Sequence, residues 1–237
     1  MKALILNSGL GNRMGALTSE HPKCMTEIDE KDTIISRQLR MLASAGIKDI
    51  VITTGYYDDV LVNYVKTLDL DLNITYVKNP VYNKTNYIYS IYCAREYLAD
   101  DILLMHGDIV FEESVLSDLL NSRQSCMKVS STIPLPEKDF KAVVYNGYVQ
   151  KVGVEFFDSA MEAQAMYKLK RDDWKIWLDQ ICMYCENERR NCYAEVALND
   201  ICSECHIVAL DVQDRLCTEI DNIEDLKKVT ERIKKNG

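Results

Sequence analysis

The chain has 237 residues, 47% hydrophobic and 27% charged, with a formal net charge of −9. That composition is globular, and 37 acidic against 28 basic side chains is the reverse of what a nucleic-acid partner requires. No apolar run approaches the ~20 residues of a bilayer span, and residues 1–6 are too short a run for a signal peptide, so the expectation is a cytoplasmic protein with no membrane and no nucleic-acid partner.

Residues 2–6 read as a buried strand, followed by a polar, glycine-containing loop from 7 to about 23. Helical periodicity over 33–45 (Ile34, Ile35, Leu39, Leu42) stops at Gly46, a residue suited to the left-handed helix terminus. A strand at 49–54 ends in Thr54-Gly55-Tyr56, a helix follows at 58–68, and a strand at 73–77. A helix at 86–98 precedes an apolar strand at 102–105 that ends at His106-Gly107-Asp108. Strands alternating with helices predict an α/β, Rossmann-like, mostly parallel sheet flanked by helices. In such sheets ligands sit at the carboxyl ends of strands. The polar residues after the first, second and fourth strands are therefore where a site belongs.

The pattern then changes. A helix at 114–120 and a strand at 127–132 lead to strands at 141–145 and 148–152, which flank Asn146-Gly147, a two-residue hairpin signal. A strand at 165–169, helices at 171–187 and 194–201, strands at 207–210 and 217–220 and a charged helix at 223–233 complete the chain. No linker or repeat interrupts it, so one domain is expected. The sequence carries no signal of oligomeric state.

Nine cysteines, an odd number without export features, predict free thiols. Cys182, Cys185, Cys202 and Cys205 have the spacing of a four-thiolate zinc site. Against that reading, Cys182 and Cys185 lie one turn apart on the helix that carries Trp174 and Trp177, and no Gly or Pro shapes a knuckle. The expectation is that they pack.

Gly9-Leu10-Gly11-Asn12-Arg13 follows the first strand, and His21-Pro22-Lys23 comes soon after. Two glycines there let backbone N–H groups approach an anion closely. A dinucleotide fingerprint needs a third glycine where Met14 stands, and a P-loop needs Gly-Lys-Ser/Thr. An Arg beside such a loop suits adjacent phosphates by forked hydrogen bonding, and Lys23 suits a phosphoryl group as a point charge. His21 is expected to shape the loop before Lys23, and His106 to tune Asp108 by a hydrogen bond.

The loop Gly-x-Gly-x-Arg…Pro-Lys is followed in order by Gly55-Tyr56, the run 79–90, Gly107-Asp108 and Glu219-Ile220-Asp221-Asn222. With these pieces the chain resembles the sugar-nucleotide-type nucleotidyltransferases. It looks most like the small cytidylyltransferases that activate phosphocholine or phosphonoalkyl groups. The resemblance implies a nucleotide-diphospho-sugar transferase type of fold with an antiparallel hairpin inserted in the acceptor half. The nucleotide-binding half would run to about residue 125. It implies transfer of CMP from CTP, with Mg²⁺ held by Asp108 and Asp221, Arg13 on the leaving pyrophosphate, and Lys23 on the α-phosphate and attacking oxygen. It places the nucleotide near Leu6, Asn7, Ser8, Gly9, Gly11, Asn12, Gly55, Asn86 and Ser90.

The phosphocholine branch is expected to carry Trp near the hairpin and near the late helix. Here those places read Asp139-Phe140-Lys141 and Tyr193-Ala194-Glu195. Lys141 suits an anionic oxygen and Glu195 a primary ammonium, with Tyr193 alongside. The expected acceptor is therefore a small phosphonate such as 2-aminoethylphosphonate or 2-hydroxyethylphosphonate. Phosphocholine, a sugar 1-phosphate, or a non-catalytic nucleotide-sensing role are the alternatives.

Overall fold

The computed structural model describes residues 1–9 and 11–236, apart from the side chains of Asn12, Arg13, Ala16 and Asn236. The expected phosphate ligand Arg13, the Asn12 side chain and Leu10 thus lie outside the described set. Among the described residues the strands are β1 (Lys2–Leu6), β2 (Asp49–Thr54), β3 (Asn73–Lys78), β4 (Ile102–His106), β5 (Ile109–Phe111), β6 (Cys126–Ser130), β7 (Lys141–Tyr145), β8 (Tyr148–Gly153), β9 (Ala160–Leu169), β10 (Val208–Asp211) and β11 (Cys217–Glu219). The α-helices among them are α1 (Ile34–Ser44), α2 (Asp58–Lys66), α3 (Tyr87–Ala94), α4 (Glu113–Asn121), α5 (Arg171–Glu186), α6 (Ala194–Ile201) and α7 (Ile223–Asn236).

A nine-stranded sheet has the order β3-β2-β1-β4-β9-β6-β10-β8-β7. Its first four strands are parallel, as the alternation of strands and helices predicts. The rest corrects the expectation of a mostly parallel sheet: β9 runs antiparallel to β4, β6 and β7, and β8 antiparallel to β7 and β10. The sheet is mixed because β9 threads back between two strands of the opposite direction.

Strand alternation sorts the core. Leu4 and Leu6 face the layer of α3, α5 and α6, while Ala3 and Ile5 face that of α1, α2 and α4. A strand apolar on both faces is stable only when covered on both, and each buried Leu or Ile contributes roughly 1.5–3 kcal/mol. Trp174 and Trp177 are buried in the first layer, and their ring N–H groups donate to Leu98 O and Ala194 O, so they are packing residues. Helix α1 starts at a capping box between Thr33 and Ser36, and Gly46 beyond it has φ 78°. In the β7–β8 hairpin, Asn146 and Gly147 have φ of 50° and 80°, the turn that matches strand twist.

The four cysteines do not converge on a zinc site. The Cys185, Cys202 and Cys205 thiols face the carbonyls of Ile88, Val149 and Asp173 respectively, and all nine cysteines are free. Among the described residues no helix is long and apolar enough to cross a membrane.

Candidate active site

The site lies at the carboxyl ends of β1, β2 and β4, where a parallel sheet splays its connecting loops. After β1 the Asn7 N–H bonds Thr53 O at 3.1 Å, and Gly107 N–H bonds Leu6 O at 3.0 Å. The glycines make close approach possible. A Cβ on Gly55 would stand 2.3 Å from Ser8 O, and one on Gly107 would stand 1.6 Å from Asn7 Oδ1. Gly11 has φ 66° and packs on the Lys23 side chain. Tyr57 donates to Ser19 O at 2.6 Å and so ties the β2 exit to the long loop.

Asp108 and Asp221 are 113 positions apart in sequence, and β5 and β11 bring them together. These strands form a two-stranded antiparallel sheet in which Glu219 pairs with Ile109, and Ile220 N–H bonds Asp108 O at 3.0 Å. Lys23, in a 3-10 turn after Pro22, donates to Asp108 Oδ2 at 2.6 Å and to Asp221 Oδ1 at 2.5 Å. The two carboxylate oxygens can therefore be no farther apart than those two lengths together. Burial alone would lower the ammonium's pKa, but the two carboxylates raise it above its ordinary value. Burial likewise opposes ionisation of Asp108, yet Lys23 and His106 hold its carboxyl below the usual range. The ammonium stands where a cation shared by both carboxylates would sit, and the oxygen-only donor pair suits a hard divalent ion.

Two adjoining cavities meet at Asp108. One, of about 300 Å³, is lined by Asn7, Gly9, Gly11, Lys23 and Asp221. The other, of about 280 Å³, is lined by Ser8, Asn79, Tyr82, Asn86, Ser90 and His106, and Leu6 and Gly9 border both. Asn86 caps α3 by accepting from Tyr87 N–H at 2.7 Å, and Ser90 accepts from Asn79 at 3.1 Å. The first lobe thus carries glycines and charge. The second carries amides, hydroxyls and aromatic edges.

The acceptor candidates part company. Lys141 is absent from the lining of either lobe: its ammonium donates to Pro136 O at 2.6 Å and Asp139 O at 3.2 Å and lies over Phe157. Glu195 is buried, and its two oxygens accept from the Tyr87 and Tyr167 hydroxyls. Burial raises its pKa, against the pull of His106 and Tyr87. Tyr193 lies 5.8 Å from Tyr87 and 5.1 Å from Phe140, centroid to centroid, and of these three rings Tyr87 touches the carboxylate and lines the second lobe. Glu195 and Tyr193, like Lys141, are absent from the lining of either lobe.

Three site features escaped the sequence reading. Gln38 on α1 is buried and donates to His106 O at 3.0 Å and Ile109 O at 2.8 Å, clamping the turn that carries Asp108. Asn79 braces the 79–90 segment through Thr85 and Ser90. His106 Nδ1 meets Glu219 Oε1 at 2.8 Å, so its partner is Glu219 and not Asp108. Burial would lower this imidazole's pKa, but Glu219, with Asp108 and Glu195 nearby, pushes it up to about 9. The periodicity of Gln38 on the inner face of α1 and the place of Asn79 in the run 79–90 were signals; nothing in the sequence paired His106 with Glu219.

A CTP:phosphoglutamine cytidylyltransferase of Campylobacter jejuni is 31% identical, over 65% of this chain and 65% of the relative. A CMP-5'-(3-aminopropyl)phosphonate synthase of Streptomyces rubellomurinus is 28% identical, over 70% of this chain and 26% of the relative. The chain therefore spans less than two thirds of either relative's length. The structure of CTP:phosphocholine cytidylyltransferase from Streptococcus pneumoniae superposes with a TM-score of 0.76 at 22% identity, covering 98% of both chains, which is a likeness of fold. Residues 3–149, the segment with the glycine loop, Lys23 and Asp108, match a family model, and by that match the chain belongs to the MobA-like NTP transferase domain family of nucleotidyltransferases.

Proposed function

We propose that the chain transfers CMP from CTP to a small phosphonate or phosphate monoester, giving a CMP-linked product and pyrophosphate. The observation that carries the reading is Lys23, held between Asp108 and Asp221 where the two lobes of the cleft meet. Nucleotidyl transfer needs in-line positioning and cancellation of charge more than covalent help. The acceptor is already an anion at neutral pH, so no general base is called for; what opposes reaction is repulsion between two anions.

The nucleoside would occupy the lobe of Ser8, Asn86 and Ser90, and the triphosphate the lobe of Gly9, Gly11 and Lys23. Asp108 and Asp221 would hold Mg²⁺, which supplies charge neutralisation at the phosphate oxygens when bound. Lys23 then turns its ammonium from the carboxylates to the α-phosphate and the incoming oxygen. Arg13 would take the leaving pyrophosphate. The base is read as cytosine because one relative is named for CTP and the other for a CMP-linked product.

For the acceptor we favour 2-aminoethylphosphonate. Tyr87 lines the second lobe, donates to the buried Glu195 and neighbours Tyr193, which in turn neighbours Phe140; an aromatic wall of these rings would suit a cationic tail. That wall also favours phosphocholine as a second reading and disfavours 2-hydroxyethylphosphonate. Lys141, engaged with carbonyls of residues 136 and 139, would act by ordering that loop and not by touching the acceptor. Pyrophosphate release measured with CTP and each of the three acceptors separates the readings. Faster turnover of phosphocholine overturns the aminophosphonate, and no release with any CTP–acceptor pair overturns the function.

A further inference from the structure

Glu195 is buried in the first turn of α6 and lines neither lobe of the cleft, so a molecule in the cleft does not reach it directly. Tyr87 does line the second lobe, beside Asn86 and Ser90. The Tyr87 hydroxyl meets Glu195 Oε2, and the Tyr167 hydroxyl meets Glu195 Oε1 at 3.0 Å. One carboxyl group thus ties α6 to α3 and to β9.

The three partners are not equally placed. Tyr167 is fully buried and packs edge to face on Trp177, 5.3 Å between ring centroids. The Trp177 ring N–H donates to the carbonyl of Ala194, the residue before Glu195, at 3.0 Å. One indole therefore fixes both Tyr167 and the start of α6 in the core. Tyr87 is the member that reaches the cleft. Its backbone N–H is held by Asn86 Oδ1 at 2.7 Å, its ring stands edge to face with His106 at 4.7 Å, and its far end is held by Glu195. A ring held at both ends is ordered before a ligand arrives, whereas a loose phenol must be ordered at each binding event. Burial, reinforced by Glu195, raises the phenol's pKa, so the hydroxyl stays protonated. The tie does not depend on the charge of the carboxyl group. Ionised, it accepts from both hydroxyls; protonated, it donates to one and accepts from the other.

We infer that Glu195 is a positioning residue for the nucleoside, acting through Tyr87, whose ring it holds against the second lobe, and not by touching the acceptor. The inference rests on the reading of that lobe as the nucleoside's. It predicts that Glu195 matters before any acceptor is present.

Calorimetric titration of the full-length protein with CTP and Mg²⁺, without acceptor, tests this. Glu195→Leu and Tyr87→Phe each remove the tie and should weaken CTP binding about tenfold. The double variant should lose no more than about twofold beyond the larger single loss, because both substitutions break one link. Glu195→Gln, whose amide can still donate to one phenol and accept from the other, should recover most of the affinity. Tyr167→Phe loosens the same carboxyl group away from the cleft; it should lower the melting temperature and keep CTP affinity within about twofold of wild type. Unchanged affinity in Tyr87→Phe, multiplied losses in the double variant, an equal loss in Glu195→Gln and Glu195→Leu, or an equal loss in Tyr167→Phe each overturn the inference. Should Glu195→Leu fail to fold, Tyr87→Phe, Glu195→Gln and Tyr167→Phe still decide. A wild type that binds CTP but transfers no CMP sinks the proposed reaction alone, and wild-type affinity in Tyr87→Phe sinks this inference alone.

Discussion

Replacing Lys23 with Met removes the ammonium and keeps most of the apolar stem. Two contacts to carboxylates disappear, at 2.6 and 2.5 Å, both largely shielded from solvent. Partners with side-chain exposures of 22% and 12% lie between surface and interior, so the destabilisation at pH 7 should be roughly 2–4 kcal/mol. The effect on turnover follows from the reaction: losing one preorganised charge at the reacting centre costs about 10²–10³ in kcat. KM for CTP should change far less, because the charge matters most when the incoming anion arrives. A third consequence has the opposite sign. With no ammonium between them, Asp108 and Asp221 should bind Mg²⁺ more tightly in the absence of nucleotide, by about tenfold for each 1.4 kcal/mol of competition removed. Steady-state pyrophosphate release and calorimetric Mg²⁺ titration of Lys23→Met read both effects. Turnover within about threefold of wild type, or unchanged Mg²⁺ affinity, would refute the reasoning.

Gln38→Leu keeps the size of a buried side chain but strips the donor from His106 O and Ile109 O. Each carbonyl left unpaired should cost about 1–3 kcal/mol, and kcat should fall more than KM because the Asp108 turn loosens; melting curves and kinetics check this together. Gly55→Ala pushes a methyl to 2.3 Å from the Ser8 backbone oxygen, which cannot swing away. The expected cost is roughly 1–3 kcal/mol with a raised KM for CTP, and an unaltered melting temperature would count against the close approach. Asp101 accepts from Lys170 at 2.6 Å and from Arg171 N–H at 2.8 Å, and these partners hold its carboxyl below the usual range although burial opposes them. A depressed folded pKa stabilises above the unfolded value of about 3.9 and loses that stabilisation as pH falls through the folded value. Asp101→Asn should therefore lower stability by roughly 0.5–1 kcal/mol at pH 7, the figure being kept small by solvent screening, and by less near pH 2; an equal loss at both pH values would contradict the assignment.

The parallel half was legible because its signals are local. Leu4 and Leu6 against Ala3 and Ile5 announce a strand covered on both faces, and Thr33, Gly46 and the Asn146-Gly147 turn each fix an element boundary by their own conformational preference. The direction of β9 had no such mark. A strand buried on both faces reads the same in either direction, and only its pairing with Met105 and Leu104 on one side and Met127 and Val129 on the other sets the sheet as mixed. The three residues of β5 are likewise too few to carry a period, so the small sheet with β11 went unseen.

That small sheet decides how the site must be understood. Lys23, Asp108 and Asp221 were nameable from residue type and order, but type and order do not show that the lysine bridges the two aspartates. Once β5 and β11 pair, Asp108, Glu219 and Asp221 are packed around the same junction and face Lys23 and His106. Among the described residues at this junction, three carboxylates face two cationic groups. If the cleft takes a triphosphate, as proposed, carboxylates held that close favour its entry as a nucleotide–metal complex over free nucleotide. The lysine keeps the carboxylates close together until that charge arrives, which limits the reorganisation left for the moment of reaction.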